Sequence, residues 1–273
     1  MIMKTKRLIA VLCLVAAMGV QSAKAWGGFG HCCMVYVAEQ HLTPEAKEKC
    51  QHYLRHSLAY YASWMDSWRG SLHFKSVNGG HSNKTTKDGY GIITKKGAMG
   101  HLVKTLNELG NGNYKNLPDS VVRQRLINLI HYLPDMHCPS HVSISKKKFP
   151  QYAEKKGYFN NGKATRYHTL WDASPSFGRK GWEVEDYAKY VDKISRKQAQ
   201  AWQSGTLVEW GRDIAKGGHL GYELLPDGTD VKKMNKKDQK AMMAHCDKMA
   251  MMGAYRLAYV LNTIFADKTV KIK

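Results

Sequence analysis

The sequence predicts an all-α fold, a single compact and mostly helical domain over residues 26–273. Apolar residues recur at helical spacing over long segments, and residues that cap helices precede several of these segments. Strand-like alternation of apolar and polar residues is scarce. No interdomain linker or internal repeat interrupts the chain, and its length of 273 residues suits one or two domains.

Four segments carry the helical signal. Thr43-Pro44-Glu45 supplies an N-cap, a proline in the first turn and an acidic residue, and it predicts a helix to about Arg55. Pro118-Asp119-Ser120 opens a second helix in the same way. The apolar spacing then predicts a long helical segment from about Glu183 to Lys216 and a last helix from about Lys237 to Ala266.

Two shorter stretches predict non-helical structure. Asn160-Asn161-Gly162 has the composition of a tight hairpin turn. The stretch from Asn78 to Gly100 is rich in Gly, Lys, Thr and Asn, which predicts a long loop.

The first 25 residues resemble an export signal. Three basic residues precede an apolar run from Leu8 to Val20, and Ala23-Lys24-Ala25 then has the small-x-small pattern of a signal-peptidase site. We therefore expect residues 1–25 to be a signal peptide, cut after Ala25, and the protein to be periplasmic or secreted with Trp26 as its first residue. A membrane anchor is the alternative for the apolar run. No later segment is apolar for long enough to span a bilayer, so we expect no stable membrane insertion.

The chain is strongly basic, with a formal net charge of +20 at pH 7. Such a charge favours anionic partners, namely nucleic acid, phosphorylated small molecules or an anionic membrane. A solvated basic surface that only aids solubility is the alternative, and charge alone does not choose between them.

Cysteine usage fits export. An oxidising compartment permits disulfides, and a domain of this size buries a core without them, so we expect at most two bridges. Five cysteines follow the predicted cleavage site: Cys32, Cys33, Cys50, Cys138 and Cys246.

The clearest chemical signal is His and Asp at metal-ligand spacing. His131 and Asp135 are four residues apart, as are His168 and Asp172, and His141 lies between the two pairs. On a helix this spacing puts both side chains on one face. Imidazole nitrogen with carboxylate oxygen is a common zinc ligand set. One such pair alone is more often a surface or capping pair, but two pairs with a third histidine between them favour metal.

Further candidates lie upstream. Asp66 and Arg69 are three residues apart among aromatic residues, and His73 follows. His31 is five residues from the predicted amino terminus at Trp26. A free α-amine and its own carbonyl can chelate a metal ion as a five-membered ring, which requires processing to stop at Trp26.

Taken together, these residues resemble the S1/P1 nucleases, a family of zinc-dependent single-strand nucleases related in fold to bacterial zinc phospholipase C. The stretch from Gly253 to Ala258, Gly-Ala-Tyr-Arg-Leu-Ala, also resembles the last helix of that family. The resemblance spans nearly the whole chain after residue 25. The family's metal-binding pattern is present in order as Trp26, His31, Asp66 within Ala-Ser-Trp-Met-Asp, His73, His131, Asp135, His141, His168 and Asp172.

The resemblance implies three zinc ions and a role for each candidate. Asp66 would orient or deprotonate the attacking water, Arg69 would hold charge on the phosphoryl oxygens, and Phe74 would stack on a base; ordinary packing is the alternative for Phe74. The three implied ligand sets are Asp66, His73, His131 and Asp135; then His141, His168 and Asp172; then the Trp26 amine and carbonyl with His31 and Asp135.

The implied activity is hydrolysis of single-stranded DNA or RNA and of 3′-nucleotides. The first alternative is a zinc-dependent phospholipase C acting on phospholipid head groups, although Asp172 stands where those enzymes usually carry Glu. The second is a non-enzymatic zinc-binding or adhesion protein, against which Asp66 and Arg69 argue.

Three positions depart from the family pattern. Pro134 replaces the glycine that usually precedes the central Asp. No acid stands near Ser76, where the nucleases have one that recognises the base. Cys138 replaces a residue that is usually polar; it could pair with Cys32 or Cys33, or lie near the metal, and the sequence does not choose.

Overall fold

The structure, a computed structural model, describes residues 26–67, 97–141, 147–150 and 157–272. Most of these residues are helical, which confirms the all-α prediction. The predicted signal peptide, residues 1–25, lies outside the described residues. The helices in chain order are α1 Gly28–Gln40, α2 Pro44–Leu54, α3 Leu58–Tyr61, α4 Trp64–Ser67, α5 Gly97–Leu109, α6 Asp119–Asp135, α7 Tyr167–Ala173, α8 Val184–Val191, α9 Arg196–Gln203, α10 Leu207–Leu224 and α11 Lys236–Phe265, with 3-10 turns at Asn113–Asn116 and Ser174–Ser176.

Helix α11 is the centre of the hydrophobic core. It has 30 residues and packs most extensively against α1, and it also contacts α2, α6, α9 and α10. From Met249 to Ala258 every residue of α11 is buried. A helix that is buried all round has no solvent face and must be enclosed by other helices. The elements that carry the candidate site, α1 and α6, are therefore held against one common support.

Capping residues set several helix boundaries as the sequence predicts. The Thr43 side chain accepts a hydrogen bond from the Ala46 N–H, and α2 follows at once. Asn235 caps α11 by accepting from the Asp238 N–H at 2.9 Å. Each cap satisfies a backbone donor that a helix start leaves unpaired.

The predicted helical segment from Glu183 to Lys216 is helical in the structure, and it is divided into three helices, α8, α9 and α10. Ser195 accepts from the Gln198 N–H and so begins α9. Gly205 has φ of 83°, which ends the helical path, and Thr206 then caps α10. Hydroxyl caps and a left-handed glycine outweigh the apolar periodicity of the segment.

A short hairpin is the β structure of the described residues. β1 Tyr158–Asn160 pairs antiparallel with β2 Lys163–Thr165 through the predicted turn. Asn161 and Gly162 have φ of 55° and 76°, as a tight hairpin turn requires. The Asp230 carboxylate accepts both of their N–H groups, at 2.9 and 2.7 Å.

The predicted loop from 78 to 100 lies largely outside the described residues, and its last four residues instead begin α5. Within the described ranges, no helix combines the length and the apolar character needed to cross a membrane.

One glycine lets α11 approach the turn that follows α6. A Cβ added at Gly253 would lie 3.2 Å from Cγ and 3.3 Å from Cβ of His137. That ring has little room to retreat, because its Nδ1 lies 2.8 Å from the Leu133 carbonyl and its Nε2 lies 3.2 Å from Arg256. The position therefore requires glycine for steric reasons.

We predict that Gly253→Ala destabilises the protein by about 1–3 kcal/mol, the usual cost of overpacking a core. Glycine to alanine in a free helix stabilises by about 1 kcal/mol, so a net loss identifies the clash. Chemical denaturation measures the free energy of unfolding. Gly28→Ala is the control, because its Cβ would meet only Ser63 Oγ at 3.9 Å. Equal stability of the two variants would contradict the clash.

Candidate metal centre

The described chain begins inside the site. Trp26 is fully buried, and its indole N–H donates to the Pro134 carbonyl at 3.1 Å. The Gly27 N–H donates to the Asp172 carbonyl at 2.9 Å. These two bonds fix the start of α1 between the end of α6 and helix α7, and so bring the two His/Asp motifs of the sequence together.

The first group consists of His31 from α1 and His131 and Asp135 from α6. Their ligand atoms all lie within 4.8 Å of one another, and all three residues are buried. The two imidazole rings stack with their centroids 4.7 Å apart and an interplanar angle of 14°. His31 Nε2 lies 3.4 Å from Asp135 Oδ1. Two parallel histidine rings thus lie beside the Asp135 carboxylate.

The second group consists of His141 with His168 and Asp172 of α7. His168 Nε2 lies 3.1 Å from His141 Nε2 and 2.9 Å from Asp172 Oδ2. His141 Nε2 lies 3.8 Å from Asp172 Oδ1. The four-residue spacing of His168 and Asp172 places them on one face of α7, as the sequence predicts.

Asp135 joins the two groups. Its Oδ1 faces His31, and its Oδ2 lies 3.0 Å from His141 Nδ1. Burial alone would raise the pKa of Asp135, but His141, His31 and His131 outweigh burial and hold this pKa well below its usual range. Burial does raise the pKa of Asp172, because His168 and His141 compensate only in part. The shared carboxylate is therefore ionised.

Acceptors behind two of the rings fix which nitrogen is available. His131 Nδ1 lies 3.0 Å from the Ala62 carbonyl, and a carbonyl only accepts, so Nδ1 carries the proton. His141 Nδ1 lies equally close to the Asp135 carboxylate. Both rings then direct an unprotonated Nε2 into the site. Metal-binding histidines in proteins are usually oriented by such a carbonyl or carboxylate partner.

The donor atoms fit zinc. Asp135 Oδ1 and Asp172 Oδ2 are buried, and neither accepts a hydrogen bond from the described residues, a costly state for a carboxylate with no ion to bind. His168 Nε2 lies 2.9 Å from Asp172 Oδ2 without the alignment of a hydrogen bond. Two ligands at about 2.0 Å from a tetrahedral ion lie about 3.3 Å apart, close to several of the separations above.

Pro134 does not prevent Asp135 from reaching the site. It lies in the last turn of α6, where its ring removes one backbone donor, and the helix ends at the next residue. Its carbonyl accepts from the His137 N–H at 2.9 Å as well as from the Trp26 indole. The proline therefore marks the point at which the chain leaves the helix and turns back toward the site.

A buried polar network supports that turn. Arg256 of α11 lies 3.2 Å from His137 Nε2 through Nη1, and it donates through Nη2 to Asp213 at 3.0 Å. Burial, with the charge of Arg256, lowers the pKa of His137 to about 3, so the ring is neutral. The sequence pointed to the Gly253–Ala258 stretch but not to this contact, because the two residues are 119 positions apart.

Cys138 is a second residue whose place the sequence left open. Its Sγ lies 3.6 Å from Asp172 Oδ1, and it forms one candidate metal-binding group with His141 and Asp172. Among the described residues none of the five cysteines forms a disulfide, so the alternative of a bridge to Cys32 or Cys33 is not what the structure contains. The neighbouring histidine, His141, was the available signal in the sequence.

Four of the candidate residues lie wholly or partly outside the residues that the structure describes. Asp66 lies in α4, but its side chain is outside the described residues, as are Arg69, His73 and Phe74 entirely. The nearest described anchor is Ala62, whose carbonyl contacts His131. The structure thus brings together six of the nine metal candidates, with Trp26 packed against them, and leaves Asp66 and His73 as predictions.

Comparison with known families agrees with this geometry. Residues 26–266 match the S1/P1 Nuclease family. The chain belongs to the S1/P1 nuclease family. The family is zinc-dependent, and membership makes this protein a hydrolase of the phosphodiesterase type. No curated protein matches the chain. In an S1/P1 nuclease, the two His/Asp groups that Asp135 joins are candidates for the zinc-binding site.

Proposed function

We propose that this S1/P1 nuclease is an exported three-zinc phosphodiesterase that cleaves single-stranded DNA or RNA and 3′-nucleotides. The observation that carries the proposal is the Asp135 carboxylate, which contacts His31 on one side and His141 on the other. A carboxylate in contact with two groups of ligands suits a cluster of ions better than one isolated ion.

The proposed ligand sets follow the two groups. His31 and Asp135 would hold one zinc with the amine and carbonyl of Trp26. His131 and Asp135 would hold a second with Asp66 and His73. A third would be held by His141, His168 and Asp172. The short separations among the described members support the first and third sets. The Ala62 carbonyl, which faces His131 Nδ1 and leaves Nε2 available, supports the second.

The chain's own residues would handle the substrate. Zinc, when bound, supplies Lewis-acid chemistry that activates water near neutral pH and neutralises phosphate charge. Asp66 would orient the attacking water or accept its proton. Arg69 would hold the charge that grows on the phosphoryl oxygens, since its planar fork matches phosphate. Phe74 would stack on a base of the substrate.

Charge favours nucleic acid over lipid. The formal net charge is +20 for the full chain and +16 once Lys4, Lys6, Arg7 and Lys24 leave with the signal peptide. This charge would attract a polyanionic strand and raise its local concentration at the site, whereas a zwitterionic head group gains little from it. Phospholipase C activity remains the second candidate, because its chemistry would use the same kind of metal cluster.

A substrate panel tests the proposed activity. We expect the zinc-loaded protein to cleave single-stranded DNA, RNA and a 3′-nucleotide, and to leave phosphatidylcholine intact. Chelation removes the ions, so activity should fall to background and return when zinc is restored. Cleavage of phosphatidylcholine alone would replace the nuclease proposal with the phospholipase. Activity that survives chelation would remove zinc from the mechanism.

Substitutions in the third ligand set test the assignment of residues. We expect His168→Ala and Asp172→Ala each to bind about one zinc fewer and, at limiting zinc, to lose activity more than about tenfold while the fold survives. Bound zinc is counted by elemental analysis. His52→Ala is the control, because His52 forms an exposed pair with Asp119 at 3.4 Å, away from the site. Normal turnover of the two site variants would show that this set is not catalytic.

The position of Trp26 supports cleavage at Ala25. Its side chain is fully buried, so residue 26 already belongs to the folded core. Its φ is 24°, a value that strains any residue with a side chain. A chain that begins at Trp26 has no such dihedral angle, and its amine is free to bind metal.

An extended amino terminus tests the terminal ligand. We compare the protein starting at Trp26 with a version that carries one added glycine before it. An amide nitrogen is a poor ligand, so the extended form should bind about one zinc fewer and cleave phosphodiesters more slowly. If Trp26 only packs in the core, the extension changes neither quantity. Equal zinc content and equal rates would therefore remove Trp26 from the metal site.

A further inference from the structure

Cys138 occupies a position in the second metal group that the family resemblance does not assign. It is fully buried in the turn between α6 and His141. Its Sγ lies 3.6 Å from Asp172 Oδ1 and 3.1 Å from the Ser140 hydroxyl. The ligand atoms of Cys138, His141 and Asp172 all lie within 4.8 Å of one another.

We propose that the Cys138 sulfur is itself a ligand of the zinc that His141 and Asp172 hold, so that this centre contains a zinc–thiolate bond. The inference rests on the proposed zinc-dependent function and adds a sulfur donor to it. On binding, the thiol proton leaves to solvent and the sulfur–zinc bond takes its place, with no change of oxidation state.

The distances support a shared ion. Zinc–sulfur bonds are about 2.3 Å and zinc–oxygen bonds about 2.0 Å, so two such ligands of a tetrahedral ion lie about 3.5 Å apart. The observed separation of Cys138 Sγ and Asp172 Oδ1 is 3.6 Å.

Backbone hydrogen bonds fix the positions of Cys138 and His141 relative to one another. The Cys138 N–H donates to the Asp135 carbonyl at 3.1 Å, and the His141 N–H donates to the Cys138 carbonyl at 2.9 Å. A Cys and a His three residues apart across a tight turn can direct sulfur and nitrogen to one point, and zinc takes both atom types.

A second observation comes from the opposite side of the group. Asp172 is 6% exposed, and its buried Oδ2 has His168 Nε2 at 2.9 Å without the geometry of a hydrogen bond. A buried carboxylate in that state gains most from a cation nearby. The thiol and this carboxylate come from separate segments of the chain and meet at the same place.

Two other polar features of the described residues, an ion pair and a surface cavity, do not require a ligand. The buried pair Arg179 and Asp247 is satisfied by direct contact with one another. The cavity of about 580 Å³ beside Phe159 and Asp230 is a shallow surface depression whose carboxylate already accepts three backbone N–H groups. Neither presents a donor that needs a ligand.

Cobalt substitution tests the inference, because thiolate bound to Co(II) gives an intense near-ultraviolet charge-transfer band that nitrogen and oxygen ligands do not. We expect the purified protein, reloaded with cobalt after chelation, to show this band. Cys138→Ser should lose the band while its visible d–d bands remain. Cys50→Ser, which changes another buried thiol outside the site, should keep both.

The outcomes separate the two proposals. Bound cobalt with d–d bands but no charge-transfer band, or a band unchanged in Cys138→Ser, would overturn the thiolate ligand and leave the zinc nuclease intact. A protein that binds no cobalt would overturn both. X-ray absorption of the zinc-loaded wild type needs no variant, and a zinc–sulfur path at about 2.3 Å is the expected result. Its absence would overturn the thiolate ligand even if Cys138→Ser fails to fold.

Discussion

The buried carboxylate of Asp135 lies between His31 and His141, and a charge in that position needs both contacts. An unpaired carboxylate in a protein interior costs several kcal/mol, so the elements that carry its partners must dock together for the fold to be stable. α1 brings His31, α6 brings Asp135 and His131, and the turn after α6 brings His141. The packing of α1 and α6 on α11 is therefore coupled to the electrostatics of the site.

Local signals explain the part of the structure that the sequence predicts well. Thr43 and Pro118 are the N-cap residues of α2 and α6. A cap acts within one turn of its own position, so the starts of these helices can be predicted from the local sequence. The spacing of His168 and Asp172 likewise places them on one face without knowledge of the rest of the chain. The division of segment 183–216 into three helices was not predicted, because its apolar residues keep helical spacing across two breaks that depend on single hydroxyl caps and on Gly205.

Contacts between distant segments explain what the sequence could not supply. Cys138 and Asp172 are 34 positions apart and meet through tertiary packing, to which the hydrogen bond from the Gly27 N–H to the Asp172 carbonyl contributes. The link between His137 and Arg256 likewise depends on α11 lying against the turn, which Gly253 permits. Neither contact could be predicted from the spacing of residues in the sequence, although the family resemblance identified most of the residues involved.

The burial of Trp26 has a consequence for how the cell that makes this protein is protected from it. Under the proposed function, the point of processing and the active site are the same place. A leader joined to Trp26 would replace the free amine with an amide, which is a poor metal ligand. The precursor is then a latent form, and removal of the leader during export completes the enzyme only where the cell's own nucleic acid is out of reach.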